Sequence, residues 1–135
     1  MKTVNNAVKI IFLTILFVNL SNCKPKALEA SSIEIGMNEF ISAYDSNEKI
    51  QLLDVRTPEE YQSGHVPRAV TLPLDELTSG ATVPFEKTSE IYVICRSGKR
   101  SMAATQYLKS QGYTNVKSIS GGTVAWSAQN KPLDK

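Results

Sequence analysis

The feature that most constrains the fold of this chain is an alternation of short apolar runs with segments of helical character. The segments 50–55 and 90–95 are apolar, of strand length and bounded by polar residues, as is typical of strands buried on both faces of a parallel sheet. Weaker strand candidates lie at 66–72 and 115–120. The helical candidates between and around these strands are 37–44, 58–62, 74–77 and 101–111. The alternation predicts an α/β domain with a mostly parallel central sheet flanked by helices.

Two of the helical candidates carry terminal signals. At residues 57–60 the sequence TPEE places a capping residue before a proline and two acids, which is the pattern of a helix start. In the segment 101–111 apolar residues recur at helical spacing, and Gly112 follows where a terminating glycine belongs. We therefore expect a helix to begin at Ser101. With 135 residues the chain has room for one domain.

The first residues predict an export signal that occupies residues 1–22. Lys2 and Lys9 accompany an apolar run at 10–20, which is shorter than the roughly 20 residues that span a bilayer but suits a secretory signal. Without those two lysines, 13 of the 15 basic residues remain against 13 acidic ones. A neutral mature chain has no general basic field for nucleic acid, so any anion site is local.

The signal ends in Leu20-Ser21-Asn22-Cys23, which resembles the acylation site of bacterial lipoproteins, although the residue before the cysteine is usually glycine or alanine. The resemblance implies lipid on Cys23, a tether over residues 23–32, and an extracytoplasmic (periplasmic) protein held at a membrane by its acyl chains. Ordinary signal cleavage nearby, or an uncleaved hydrophobic anchor, are the alternatives.

The second cysteine, Cys95, ends a predicted buried strand and begins a short loop before the helix at Ser101. The carboxyl end of a parallel sheet is where ligands bind in such folds. Loop amides, the helix dipole and the cations Arg96, Lys99 and Arg100 would all favour thiolate over thiol. A solitary cysteine is often merely a small buried hydrophobe, but a structural cysteine needs no such loop. The pattern therefore favours a nucleophile.

Four segments in order resemble the rhodanese family of sulfurtransferases: LDVRTPEEY at 53–61, GHVP at 64–67, CRSGKRS at 95–101 and GGTVAW at 121–126. The match runs from about residue 35 to residue 133, so we expect a rhodanese domain over 33–135 with the three-layer fold of that family. One departure is Arg68, which stands where glycine is usual. We expect it to alter the local turn and to add a cation near the mouth of the site.

The resemblance implies a persulfide relay. Cys95 would take the outer sulfur of a donor such as thiosulfate and pass it to a thiophilic acceptor such as cyanide, which is covalent catalysis by a nucleophile of lowered pKa. Both partners would be small molecules, and no metal, nucleotide or organic cofactor is required. The residues expected to bind the substrate are Arg96, Ser97, Gly98, Lys99, Arg100 and Ser101.

Two other functions are considered. Related phosphatases and arsenate reductases place an arginine six residues after the cysteine to grip an oxyanion, whereas here Arg100 is five residues after Cys95 and Ser101 is the sixth. The shorter loop favours the sulfurtransferase. A sulfur carrier or protein-binding module without catalysis is the second alternative, although such a module would not need the cationic loop.

Other motif residues have structural interpretations beside functional ones. Asp54 and Arg56 lie at the presumed active edge and would orient the thiol loop or help hold a donor, but a structural ion pair or helix cap is an equal alternative. His65 is expected to stabilise a turn rather than to act as a base. Trp126 is expected to pack a closing helix onto the sheet, and Gly121-Gly122 to supply the tight turn into it.

Overall fold

Five parallel strands form the centre of the fold. The structure, a computed structural model, describes residues 32–135, so the predicted signal, Cys23 and nearly all of the tether lie outside the described residues. The strands are β1 (Glu34–Ile35), β2 (Gln51–Asp54), β3 (Ala69–Thr71), β4 (Glu90–Ile94) and β5 (Asn115–Ile119). Their order in the sheet is β1-β5-β4-β2-β3, and every neighbouring pair is parallel.

Five helices cover the two faces of this sheet. They are α1 (Met37–Ser46), α2 (Pro58–Ser63), α3 (Leu74–Thr78), α4 (Lys99–Ser110) and α5 (Gly122–Ala128). Helices α1 and α5 contribute to one apolar core, and α3 and α4 to the other. Within residues 32–135, no helix is long and apolar enough to cross a membrane. The predicted three-layer α/β fold with a parallel sheet is confirmed.

Alternate residues of the central strands fill the two cores. On β4, Tyr92 and Ile94 belong to the core under α1 and α5, and Ile91 and Val93 to the core under α3 and α4. Trp126 is fully buried in the first core, as predicted, and its indole Nε1 donates to the carbonyl of Pro132 at 2.8 Å. Because both faces of β4 are covered, its carboxyl end is held rigidly between two packed layers.

Helix α4 begins at Lys99, two residues before the predicted start. Gly98 takes a left-handed conformation with φ of 102° at the N-cap position, and its carbonyl accepts the Met102 amide at 3.0 Å. Glycine adopts that conformation without a steric penalty, so the chain turns into the helix directly from the thiol loop. Ser101 therefore lies inside the first turn, with its side chain beside the loop.

Arg68 does not add a cation near the mouth of the site, and that prediction is wrong. It precedes β3, at the amino end of the strand, whereas Cys95 follows the carboxyl end of β4. Its backbone takes φ of 69°, which explains why glycine is favoured at this position. Its guanidinium donates to the carbonyls of Tyr44 (3.0 Å) and Asn47 (2.8 Å) at the end of α1 and stacks 3.6 Å above the Tyr44 ring.

Candidate functional site

The thiol of Cys95 lies where the carboxyl ends of the three central strands meet. Cys95 follows β4, which pairs with β2 on one side and with β5 on the other. The loop after β2 contains Arg56, and β5 is followed by Gly121 and then by Gly122, the first residue of α5. Cys95 itself is 1% exposed. The sheet thus brings three of the four sequence motifs to one edge, around one sulfur atom.

The loop after Cys95 curls around the sulfur. The Gly98 amide donates to Cys95 Sγ at 3.1 Å, and the thiol donates to Ser101 Oγ at 3.5 Å. Ser101 Oγ also donates to the Gly98 carbonyl at 3.0 Å and lies 2.8 Å from the hydroxyl of Ser118 on β5. Ser118 is fully buried. The sequence did not identify it as a site residue, because no motif around it in β5 distinguishes it from an ordinary strand serine.

These contacts decide the ionisation of the thiol. Burial of Cys95 raises its pKa, but hydrogen bonding with the Ser101 hydroxyl, which turns to donate once the thiol is ionised, and with the amides of Ser101, Gly98 and Ser97 outweighs that effect, and the pKa is lowered. Hydrogen bonds to the charged form stabilise it more than they stabilise the neutral thiol. The thiolate is the nucleophilic form, so the loop favours the reactive form of Cys95. The lowered pKa and the contribution of the loop amides are as predicted, whereas none of the three loop cations is among its leading causes.

The glycine pair after β5 packs backbone to backbone against this loop. The amides of Thr123 and Val124 donate to the carbonyls of Cys95 (2.8 Å) and Arg96 (3.2 Å). A Cβ atom on Gly122 would lie 2.1 Å from the Cys95 carbonyl oxygen, which is far inside van der Waals contact. The glycine pair therefore does more than supply the predicted turn, because it lets α5 bind the outward-facing carbonyls of the thiol loop.

Asp54 and Arg56 form a buried ion pair. Arg56 Nε lies 3.0 Å from both carboxylate oxygens of Asp54, and Arg56 Nη2 donates to Asp54 Oδ2 at 2.7 Å. Asp54 is fully buried and Arg56 is 5% exposed. Arg56 also donates to the Gly64 carbonyl at 2.9 Å. These contacts agree with the structural interpretation of the pair, since they tie the end of β2 to the loop after α2.

Arg100 is held by Glu60, a residue that sequence reasoning noted only as an acid at a helix start. The two guanidinium nitrogens donate to Glu60 Oε2 at 2.6 Å and Oε1 at 2.8 Å. Glu60 also completes a capping box with Thr57, as the sequence TPEE suggested for this helix start. The hydrogen bonds from Arg100, opposed by burial and aided by the Thr57 amide, lower the pKa of Glu60 to about 2. The charge of Arg100 is therefore compensated.

The other two loop cations are exposed. Arg96 and Lys99 both face solvent, and neither forms a salt bridge with a residue in the range 32–135. Arg96 lines an open cleft of about 500 Å³ beside the loop. The cleft runs between α2 and α5, and its other lining residues are Arg56, Glu60, Ser63, Gly64, Thr123, Val124, Ser127 and Leu133.

His65 takes part in structural contacts. Its ring stacks on Tyr61 with centroids 3.8 Å apart, and Nδ1 lies 3.1 Å from the Tyr61 carbonyl. Its backbone forms a two-way bridge with Asp134 near the chain end, with both hydrogen bonds at 2.9 Å. These contacts match the expected turn-stabilising role.

Comparison with known proteins agrees with this architecture. The family described as "Rhodanese-like domain" matches residues 37–129. The chain is 39% identical over 103 residues to the putative sulfur carrier protein YrkF of Bacillus subtilis, covering 76% of this chain but only 55% of that protein. It is 34% identical to a sulfurtransferase of Allochromatium vinosum, covering 74% of this chain and 92% of the relative.

A solved structure gives the same result at the level of the fold. The human single-domain sulfurtransferase TSTD1 superposes with a TM-score of 0.66 at 27% identity, covering 73% of this chain and 97% of that one. The family match, the fold and the thiol loop at the end of β4 lead to one conclusion: this chain belongs to the rhodanese-like domain family.

Proposed function

We propose that this protein is a sulfurtransferase that carries sulfane sulfur on Cys95, from a small donor such as thiosulfate to a thiophilic acceptor such as cyanide. The observation that carries the proposal is the buried thiol, held by the Gly98 amide and the Ser101 hydroxyl so that its pKa is lowered. A merely structural cysteine in an apolar core would have a raised pKa.

The reaction has two steps. The Cys95 thiolate attacks the outer sulfur of thiosulfate, a new S–S bond forms, and the old S–S bond breaks with its electron pair leaving on sulfite. The Cys95 persulfide then gives its outer sulfur to cyanide, which leaves as thiocyanate while the thiolate is regenerated. The loop amides would hold the partly anionic outer sulfur, and Arg96 would attract the donor from the cleft. This chemistry is covalent, ping-pong catalysis.

The short loop disfavours a phosphatase or arsenate reductase, which must bind a tetrahedral oxyanion. A phosphatase needs an arginine free to grip a tetrahedral oxyanion with both nitrogens. The guanidinium of Arg100 instead directs both of its terminal nitrogens to Glu60. This arrangement supports transfer of a single sulfur atom over hydrolysis of a phosphate ester.

A non-catalytic sulfur carrier is the second candidate, and it is favoured by the relative named as a putative sulfur carrier protein. A carrier would accept a persulfide on Cys95 but release it only to a dedicated protein partner. The two candidates differ in turnover with small acceptors and agree on the sulfur-bearing residue.

The test is thiocyanate formation from thiosulfate and cyanide by the purified protein and by Cys95→Ser, with Ser79→Ala as a matched change of an exposed serine outside the thiol loop. A sulfurtransferase turns over many times, the Cys95→Ser variant is inactive, and the Ser79→Ala variant remains active. A Cys95 persulfide that forms without turnover would support the non-catalytic carrier instead. If neither the persulfide nor thiocyanate forms, both candidate functions are refuted.

We further propose, on the sequence of residues 1–23 alone, that the protein is exported and anchored by lipid on Cys23 at an extracytoplasmic membrane surface. The intact mass of protein extracted from membranes tests this directly. A chain that begins at Cys23 and carries acyl groups supports the proposal. A chain that retains residue 1, or one cleaved elsewhere without lipid, would refute it.

A further inference from the structure

A buried serine of β5, Ser118, contacts the thiol loop from behind. Its hydroxyl oxygen lies 2.8 Å from Ser101 Oγ, and both side chains are fully buried. Two residues earlier on the same strand, Val116 belongs to the apolar core under α3 and α4. A buried hydroxyl costs free energy in such surroundings unless it is hydrogen-bonded. The contact with Ser101 is therefore what makes a serine acceptable at this position.

The direction of this hydrogen bond follows from counting protons. A hydroxyl carries one proton and two lone pairs. The Ser101 proton is donated to the Gly98 carbonyl at 3.0 Å. Within residues 32–135, Ser101 is the only hydrogen-bond partner of the Ser118 hydroxyl. If Ser118 accepted from Ser101, its own proton would be buried without an acceptor, which is costly. Ser118 is therefore the donor.

Ionisation of the thiol changes what the Ser101 hydroxyl must do. While Cys95 is a thiol, Ser101 Oγ accepts from the sulfur at 3.5 Å. Once the thiol has lost its proton to water, the Ser101 hydroxyl turns and donates to the charged sulfur. The Gly98 carbonyl stays hydrogen-bonded during this turn, because it also accepts the Met102 amide at 3.0 Å.

Ser118 donates to Ser101 Oγ before and after this turn. A hydroxyl that itself accepts a hydrogen bond is polarised and becomes a stronger donor, especially in a buried network. The bond from Ser118 therefore strengthens the bond that Ser101 gives to the Cys95 thiolate. It also leaves the single Ser101 proton free for the sulfur, because Ser118 needs no proton from Ser101.

Charged side chains around the thiol loop also act on the thiolate. They come from the loop and the start of α4, from α2 and from the end of β2, and they are Arg96, Lys99, Arg100, Glu60, Asp54 and Arg56. Replacing Ser118 by an uncharged residue alters none of these charges. A change in the pH profile of Cys95 in such a variant therefore reports the hydroxyl network.

We propose that Ser118 is a positioning residue for sulfur transfer: by donating to Ser101 Oγ, it strengthens the hydrogen bond that Ser101 turns to give to the Cys95 thiolate. The inference rests on the proposed sulfurtransferase function and adds a residue that supports its nucleophile. The transfer step is unchanged. The thiolate takes the outer sulfur of the donor, and sulfite leaves with the electron pair of the broken S–S bond.

The test measures the pH dependence of Cys95 alkylation by iodoacetamide, together with the ultraviolet absorbance of the thiolate. In Ser118→Ala the midpoint of both should move upward. At a fixed pH below the midpoint, the alkylation rate should fall about twofold, because the loss of thiolate outweighs the higher nucleophilicity of each thiolate. The kcat/KM for thiosulfate, with cyanide as acceptor, should fall by a similar factor at that pH.

Two variants of equal shape separate the hydroxyl from packing. Ser118→Thr keeps a hydroxyl and Ser118→Val lacks one, while both add the same bulk to β5. The threonine variant should therefore have the lower midpoint of the two. Thr105→Val is the matched control, since Thr105 is fully buried one turn after Ser101 on α4 and its hydroxyl has no hydrogen-bond partner within the described residues. It should leave the midpoint unchanged.

A double variant tests whether Ser118 acts through Ser101. In a Ser101→Ala background, Ser118→Ala should produce no further shift of the midpoint, because the group that it acts on is already gone. If Ser118→Val does not fold, Ser118→Ala and this double variant decide the question.

Three results would overturn the inference: an unchanged profile in Ser118→Ala, equal midpoints in Ser118→Thr and Ser118→Val, or a full shift that persists in the Ser101→Ala background. The alkylation profile requires no turnover, so it decides on Ser118 separately. Failure of the unmodified protein to turn over thiosulfate would instead refute the proposed function.

Discussion

Replacing Gly122 by alanine tests whether the glycine pair builds the thiol loop. Gly122 has φ of 54°, and a Cβ atom there would lie 2.1 Å from the Cys95 carbonyl oxygen and 2.6 Å from the carbonyl carbon and oxygen of Arg96. Those atoms are backbone, so no side chain can rotate out of the way. Either the loop or the start of α5 must move.

The cost can be estimated from two contributions. Placing a non-glycine residue in the left-handed region costs about 1–2 kcal/mol, and forcing extra volume into a packed site costs typically about 1–3 kcal/mol. We expect Gly122→Ala to lower the free energy of unfolding by about 2–5 kcal/mol. The amides of Thr123 and Val124 would lose their bonds to the loop carbonyls, so the pKa of Cys95 should rise as well.

The matched control is Gly80→Ala. Gly80 also has a positive φ, of 93°, but a Cβ atom there meets nothing within 4 Å. It should therefore lose only the backbone contribution of about 1–2 kcal/mol, without any effect on the thiol. The measurements are urea unfolding and the rate of Cys95 alkylation by iodoacetamide as a function of pH, with the modified residue located by peptide mass.

The reasoning would be refuted if Gly122→Ala and Gly80→Ala were equally stable and had the same alkylation profile. Equal stability would mean that the close approach of α5 to the thiol loop is not required. A destabilised Gly122→Ala variant with an unchanged Cys95 pKa would show that the contact supports the fold but not the thiolate.

Three further changes have definite expected outcomes. Ser101→Ala removes a hydrogen bond that lowers the Cys95 pKa, so the pH midpoint of alkylation should move upward and less thiolate should be present at neutral pH. Asp54→Asn leaves the Arg56 cation buried without its carboxylate and should cost about 3–5 kcal/mol in urea unfolding; a loss below 1 kcal/mol would contradict the account of that pair. Arg68→Ala keeps the strained φ of 69°, whereas Arg68→Gly relieves the strain. The alanine variant should therefore be less stable than the glycine variant by about 1 kcal/mol in urea unfolding. A glycine variant less stable than the alanine variant would contradict this explanation.

The fold could be predicted from the sequence because its signals are local. The runs that became β2 and β4 are mainly apolar, as is typical of strands covered on both faces, and α2 has its capping box within four residues. Strand β1 was not predicted. It has two residues, and their partners in the sheet are Ser118 and Ile119 on β5, more than eighty positions later, so no local pattern marks it.

In the site, too, the local features could be predicted from the sequence and the long-range contacts could not. Cys95 and its loop were recognisable because the strand, the thiol and the cations are consecutive. The Glu60–Arg100 pair joins residues 40 positions apart, and the sequence gives no sign that this cation is compensated. The start of α4 was predicted two residues late, because the sequence does not show that Gly98 caps the helix rather than belonging to the loop. Gly98 is required there because Gly121 approaches it closely. A Cβ atom on Gly98 would lie 3.3 Å from the Gly121 amide nitrogen.

Sulfur loading of Cys95 in a single turnover is the most direct test of the central claim. The protein is incubated with thiosulfate, freed of donor, and examined by intact and peptide mass before and after addition of cyanide. The account predicts the mass of one extra sulfur atom on the Cys95 peptide, its loss on addition of cyanide with an equal amount of thiocyanate, and neither event in Cys95→Ser. An unmodified Cys95, or thiocyanate formation that persists in Cys95→Ser, would contradict it.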